Sequence, residues 1–320
     1  MPGAAIEIEG LRKSYGGIER VHGIDCTVAH GEIFGLLGTN GAGKTTTIEI
    51  LEGYRARDGG TVSVLGVDPS HPTRAWRERI GIVLQESELD PLYTVRETVA
   101  QFARYFSEPA EVDPTIDRVG LAAKRNERIG SLSGGQKRAV DVALGLIGAP
   151  DLLFLDEPTT GLDPAARREM WATVARLRDA GTTVLLTTHY MDEAQHLADR
   201  LLILRAGEVV GQGTTGELVD ADDDGAVVTF RVDPAADPPV DLSGVAERLT
   251  ARPEVADGTV RWRSTDPQRD LFHLLTWADR AGVELTGLEV DRPNLDDVFL
   301  RLTSSDEPEP EPESEPGAPA

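Results

Sequence analysis

The sequence predicts an α/β fold followed by a small α+β domain, on three observations. Short apolar runs that read as buried strands alternate with helical patterns as far as about residue 219. One of those strands passes through a glycine-rich loop directly into a helix. Past the charged stretch Asp220–Gly225 the alternation begins again on a smaller scale.

The elements follow in chain order. Ala5–Gly17 is an alternating strand ending in a turn at Gly16-Gly17, with Tyr15 just before it. Two strands joined at His30-Gly31 then lead to Gly38. Gly38–Thr45 reads GTNGAGKT, which fits the phosphate-loop (P-loop) pattern G-x-x-x-x-G-K-[ST]; EIFGLLG before it is a buried strand and TTTIEILEG after it a helix. Such a unit offers backbone N–H groups and a positive helix end to phosphate oxygens. Gly38, Gly41 and Gly43 let the loop wrap closely, because a Cβ would block the oxygens or forbid a positive φ. Asn40 and Thr46 complete the set. Lys44 is expected to reach the β- and γ-phosphates of ATP, and the Thr45 hydroxyl to ligate Mg²⁺.

Thr61–Val67 reads as a strand, Pro69 and Pro72 mark a loop, and Thr73–Arg79 is helical. Gly81–Gln85 is a short strand that stops at a polar residue. From about 86 to 150 the pattern is helical, an insertion in the α/β core. Its first helix, Thr94–Phe106, has an N-cap Thr94 with a capping-box Glu97 and sets Val95, Val99, Phe102 and Phe106 on one face. A break at Glu108–Pro114 precedes a shorter helix. At Leu132–Gln136, LSGGQ, Ser133 is an N-cap, and Gly134 and Gly135 expose the first N–H groups of a long helix, a second place suited to an anion. LLFLDEP, Leu152–Pro158, is a buried strand that delivers two carboxylates to its C-terminal end, where α/β sheets bind ligands. Asp156 is placed to hold Mg²⁺, and Glu157 to face an attacking water. Asp163-Pro164 starts a helix, TTVLLTTH is a buried strand ending at His189, and a hairpin turns about Ala206-Gly207.

The formal charge of −23 disfavours nucleic-acid or anionic-membrane partners, which call for basic patches. Six of the carboxylates lie in residues 306–320, where there is no base. The one cysteine, Cys26, sits in an apparent strand, so it reads as a packed thiol in a reducing cytosol. The first residues lack a signal peptide's basic and apolar regions. The most apolar stretch, Val142–Leu155, is broken by Pro150 and Asp151 and falls short of a membrane span. A soluble chain is expected.

Phosphate loop, LSGGQ, LLFLDEP, GLDP and TTH, in this order, form one constellation. It resembles the ATP-binding cassette (ABC) of ABC transporters over about residues 4–219, which sets the cassette at 1–219. LSGGQ is its specific part, since generic P-loop NTPases lack it. The resemblance implies that Tyr15 stacks on adenine, that Gln85 senses Mg²⁺, water and a membrane partner, and that His189 contacts the γ-phosphate. It further implies that Ser133, Gly134, Gly135, Gln136 and Asp163 act across a head-to-tail homodimer. Thr39 departs from the proline common after the first loop glycine, at a side chain with no demanded contact. The dimer also has a physical basis: one loop serves one side of a triphosphate, and water on the far side would weaken the electrostatics.

Beyond the linker at 220–225, strands AVVTFRV, GTVRWRS and VELTGLEV interleave with helices near Leu242–Thr250 and Pro267–Ala281, and NLDDVFLRLT closes a small α+β domain at 226–303. DRPNLDDVFLRLT, with ILEGY after the phosphate loop, resembles daunorubicin/doxorubicin-resistance ATP-binding subunits and related type-2 ABC exporters. That resemblance implies a separately encoded integral-membrane permease, efflux of a drug-like or hydrophobic compound, and a location at the inner face of the cell membrane. The Glu-Pro repeats within 304–320 cannot bury a core and are expected to be disordered. A non-transport ABC ATPase working on a soluble macromolecule is the alternative; such chains usually carry two cassettes or long coiled coils. A poorly hydrolysing regulatory protein is a third reading, and Glu157 weighs against it.

Overall fold

The computed structural model describes residues 3–85, 87–220, 225–232, 242–256, 258–291 and 295–304. The chain divides into two compact units, Met1–Ala221 and Asp222–Ala320. No described helix is long and apolar enough to cross a membrane.

The first unit contains two sheets. Strands β1 (Ile6–Tyr15), β2 (Ile18–Val28) and β4 (Gly59–Val64) form an antiparallel sheet in the order β2-β1-β4. Strands β3 (Ile33–Gly38), β5 (Ile80–Val83), β6 (Leu152–Asp156), β7 (Thr183–Thr188), β8 (Arg200–Arg205) and β9 (Glu208–Gly213) form the main sheet in the order β5-β6-β7-β3-β8-β9. All its neighbours run parallel except the β8–β9 hairpin. Every residue of β3, β6 and β7 is buried, as continuous apolar runs require when both faces of a parallel sheet are covered.

Alternation divides these strands between two cores. Phe34, Leu36, Leu152, Phe154 and Leu185 pack with the antiparallel sheet, with Trp76, and with Ile48 of α1 (Lys44–Leu51). Ile33, Leu153, Leu155, Val184 and Leu186 point the other way. They meet α3 (Val95–Ala103), α4 (Val112–Arg118), α5 (Gly134–Leu146), α6 (Pro164–Asp179) and α7 (Met191–Leu197) through Val99, Ile116, Val140, Met170 and Leu197. The helical stretch between β5 and β6 therefore shares the core of the sheet. Helices α2 (Arg74–Arg77) and α8 (Thr215–Asp220) complete the unit.

The register explains how the site is assembled. Leu37 lies beside Thr188, Asp156 beside Thr187, and Gly38 beside Leu204. The loops leaving β3, β6 and β7 therefore emerge together at the C-terminal edge of three neighbouring strands.

Several boundaries differ from expectation. The strand expected over Thr61–Val67 ends at Val64, because Leu65 (φ 52°) and Gly66 (φ 79°) make a tight turn in which Val64 N donates to Val67 O at 2.8 Å. The helix expected over Thr73–Arg79 is a single turn. The capping box at Thr94 and Glu97 forms, but its helix ends at Ala103, and Phe102 is 39% exposed, off the buried stripe of Val95 and Val99. Pro114 lies inside α4, near its start, where a missing N–H costs nothing.

The second unit is an antiparallel sheet of β10 (Ala226–Arg231), β11 (Glu254–Ala256), β12 (Thr259–Ser264) and β13 (Thr286–Asp291), ordered β11-β12-β10-β13. With it go α9 (Ser243–Ala246), α10 (Pro267–Ala281) and α11 (Leu295–Ser304). Val228, Phe230, Val260, Trp262 and Leu274 form its core, with Phe230 and Trp262 edge to face at 6.0 Å. Asp270 is fully buried yet satisfied, accepting from Trp262 Nε1 (3.0 Å), Thr250 Oγ1 (2.6 Å) and Thr250 N (3.0 Å). β11 was not expected, and the helix expected over Leu242–Thr250 is one turn long. Most of the linker, 221–224, and residues 305–320 of the acidic tail lie outside the described residues.

Candidate functional site

The phosphate loop bends where its glycines allow. Gly41 (φ 81°) and Gly43 (φ 102°) are left-handed, and a Cβ on Gly43 would fall 2.9 Å from Arg20 O. Gly38 serves differently: its φ is ordinary, and a Cβ there would meet Leu204 O at 2.6 Å, so its small size permits strand packing and not phosphate approach. The β8–β9 turn braces the loop, with Gly207 N donating to Ala42 O at 3.0 Å. No side chain caps α1, which leaves the N–H groups of its first turn pointing out of the loop.

Lys44 is only 5% exposed. Its Nζ donates to Gly38 O (2.8 Å) and Thr39 O (3.2 Å) and stands 3.6 Å from Glu157 Oε1. Burial pushes its pKa down, and Glu157 opposes that shift. A buried cation facing a single carboxylate, beside uncapped N–H groups, is electrostatically suited to an anionic ligand.

Glu157 follows β6 in a left-handed conformation, φ 45°, unusual for a residue with a Cβ. Its N–H, held by Thr187 Oγ1 (3.1 Å) and Thr187 O (3.2 Å), fixes that conformation. The carboxylate accepts from Gln85 Nε2 (3.3 Å) and Thr160 Oγ1 (3.1 Å). His189 Nδ1 lies 3.2 Å from Glu157 Oε1, but out of line for a hydrogen bond. Asp156 sits deeper: its Oδ1 accepts from Thr187 Oγ1, and burial raises its pKa against the lowering effect of that bond.

These groups line a cleft of about 770 Å³. Its walls are Asn40, Gly41, Gly43, Lys44, Thr45 and Thr46 from loop and helix, Gln85 after β5, Glu157 and Thr160 after β6, and His189 after β7. Tyr15 and Arg20 come from the β1–β2 hairpin. Arg55 and Lys13 stand 5.3 and 5.6 Å from the centroid of the Tyr15 ring. Gly38 and Asp156 lie behind the walls. Ser133, Gly134, Gly135, Gln136 and Asp163 do not line the cleft: they are the start of α5, where Ser133 and Gln136 make a capping box, and the N-cap of α6.

Sequence reasoning missed three residues. Arg20 and Thr160 carry no local signal and reach the cleft only through the fold. Arg138 had one, a charged residue on an apolar stripe, at i, i+4 and i+8 with Val142 and Leu146. It is 7% exposed and donates to Leu84 O, Pro158 O (3.1 Å) and Asp156 O (2.9 Å), which ties the Gln85 segment to the carboxylate turn.

A separate apolar groove of about 750 Å³ opens near the end of β5. Exposed Tyr54, Leu84 and Phe102 border it, with Glu49 and Glu52 at one wall. It holds no phosphate-loop residue.

Comparison with known proteins agrees with this geometry. The family described as "ABC transporter" matches residues 21–160, and one described as "ABC transporter domain-containing protein-like, C-terminal domain" matches 226–294. The "Nod factor export ATP-binding protein I" of Paraburkholderia xenovorans is 40% identical over 310 residues, covering 95% of this chain and 98% of that protein. The protein of the same name from Rhizobium meliloti is 40% identical over 307 residues, covering 94% and 89%. Among solved structures, CbiO1 from Clostridium perfringens, part of the ABC transporter complex CbiONQ, superposes with a TM-score of 0.61 at 28% identity, covering 69% of this chain and 92% of that one. With its phosphate loop, carboxylate turn and main sheet assembled as described and relatives aligned almost end to end, the chain belongs to the ABC transporter family, as an ATP-binding subunit with ATPase activity.

Proposed function

We propose that this chain powers export of a hydrophobic or drug-like compound through a separately encoded membrane permease. ATP-driven closure of a homodimer at the inner face of the membrane would do the work. Residues 1–219 are the cassette, with the helical subdomain at about 86–150, and 226–303 a small accessory domain. The observation that carries the reading is the convergence of Lys44, Gln85, Glu157 and His189 on one cleft at the C-terminal edge of the sheet.

In this reading the N–H groups of the phosphate loop and Lys44 grip the phosphates, and Tyr15 supports the adenine. Thr45, Gln85 and Asp156 would hold Mg²⁺, which supplies charge neutralisation at the phosphate oxygens. Glu157, held by Gln85 and Thr160, takes the proton of the attacking water, and His189 stands against the γ-phosphate. Ser133–Gln136 and Asp163 do not line the cleft of their own chain, which suits a lid supplied to a second copy. The apolar groove suits docking of a permease segment, since Leu84 on its wall directly precedes Gln85, which donates to Glu157.

Export rests on the names of the relatives, and the drug-like cargo on the likeness of DRPNLDDVFLRLT to drug-exporting cassettes. Glu157→Gln tests the reading. It should slow hydrolysis by roughly 10²–10⁴ while ATP still binds and traps a dimer on a sizing column. Unchanged turnover would remove Glu157 from its role, and an ATP-loaded variant that stays monomeric, with or without permease, would remove the dimer.

A further inference from the structure

The C-terminal unit carries a pocket of about 260 Å³ between α9 and α10 that the ATPase reading leaves unused. Arg248, His273 and Arg280 stand around it, and Trp277 is its aromatic wall. His273, Trp277 and Arg280 are spaced four and three residues apart on α10, so they share one face. Arg248, just beyond α9, comes from the opposite side. Gly244 lies against the indole: a Cβ built there would stand 3.6 Å from Trp277 Nε1, in ordinary van der Waals contact.

The pocket gathers basic side chains in an acidic chain. Carboxylates outnumber basic residues by 55 to 32; some arginines elsewhere, such as Arg12, Arg57 and Arg125, are matched to Glu19, Asp68 and Asp117, while exposed ones such as Arg104 and Arg118 are not. Among the described residues the side chains of Arg248, His273 and Arg280 have no hydrogen bond or ion pair, and the Trp277 N–H has no acceptor. Their acidic sequence neighbours Glu247 and Asp279 make no ion pair with them. Two unmatched guanidinium groups and an imidazole around an indole suit a ligand that brings carboxylates together with a flat apolar surface.

We propose that this ligand is the chain's own acidic segment, residues 305–320. It holds six carboxylates and no base, with glutamate and proline alternating over Glu307–Pro316. Glutamate carboxylates accept bidentate bonds from guanidinium groups, and proline rings are what aromatic-lined grooves take up. The segment follows α11 in the same unit. Its 16 residues can span up to about 50 Å. A folded unit of about 80 residues has a radius of gyration of only about 12 Å, so the pocket is within reach wherever α11 ends. Tethering supplies an effective concentration on the order of millimolar, enough to half-fill a site of millimolar affinity.

The test uses the full chain and is independent of ATP hydrolysis. Cys26 is buried, and burial pushes its thiol up to about 12, so a thiol-reactive nitroxide goes to S314C alone. Emission from Trp277 is obtained by subtracting that of the W277F chain carrying the same label. Relative to a diamagnetic analogue of the label, the nitroxide should lower Trp277 emission about two-fold, the occupancy that tethering gives. The loss should vanish in R248A/R280A and at about 0.5 M NaCl, where screening is down to about 4 Å. Inorganic phosphate added at constant ionic strength should leave it in place. Equal emission with the two labels overturns the proposal, as does quenching that survives R248A/R280A. Release by phosphate at constant ionic strength overturns it too, because the pocket would then select small oxyanions. Both arginines are exposed, and melting curves matched to the parent are the control for folding of the variants.

Discussion

Truncation of Arg138 to alanine should loosen the site from behind without removing any side chain that lines the cleft. The guanidinium makes three strong bonds to main-chain carbonyls, those of Leu84, Pro158 and Asp156, and a longer one to Gln85 at 3.4 Å. A bond from a charged donor contributes about 1.5–3 kcal/mol, so three total about 5–9 kcal/mol. The cost of burying the cation offsets part of this, leaving a net loss of about 3–5 kcal/mol for R138A. With a urea m-value of about 3 kcal/mol/M, the unfolding midpoint of the cassette should fall by about 1–1.7 M. R138K keeps the charge but cannot fork, and should fall between the two. Because Arg138 ties the end of β5 to the turn after β6, ATPase kcat should also drop in R138A, by about ten-fold or more, as Gln85 and Glu157 lose their fixed separation. A midpoint within about 0.3 M of the parent with kcat unchanged would show that these carbonyls are served equally well by water, and would refute the reasoning.

Glu52 is buried, and burial with Asp156 and Glu49 nearby pushes its carboxyl from 4.5 up to about 8. A raised acid binds more protons folded than unfolded, so its contribution to stability falls as pH rises from about 4.5 to 8, by up to about 1.4 kcal/mol per pH unit. E52Q should therefore melt higher than the parent at pH 8.5 and lose most of that advantage at pH 5; equal melting profiles would contradict this. Tyr15→Ala should weaken ATP by about 1–3 kcal/mol in a binding titration, and equal affinities would return Tyr15 to an ordinary strand-edge aromatic. Ser133→Arg should abolish hydrolysis and leave ATP binding by the monomer intact, since Ser133 lies off its own cleft; loss of both would indicate a damaged α5 instead.

Much of this protein is legible in its sequence because it is local. GTNGAGKT needs only its own glycines and the helix behind it to become a phosphate loop. Ser133 with Gln136, and Asp163 ahead of Pro164, announce helix starts because the side chains of Ser133, Gln136 and Asp163 accept from N–H groups two or three residues away and proline fits the first helical position. The unbroken apolar runs of β3, β6 and β7 could only be interior strands. Other features were decided by the tertiary structure. Strand order, fixed by how helices cross over and pack, sets β6, β7 and β3 side by side and so brings Glu157, His189 and Lys44 together. It also brings Arg20 and Thr160 into the cleft, hides Asp156 behind it, and gives Gly38 a packing role against Leu204. Where β4 stops depended on a left-handed Leu65. Hydrogen bonds between near neighbours are written in the order of residues. Contacts between residues a hundred positions apart depend on which faces find each other, and that follows from the packing of the whole sheet.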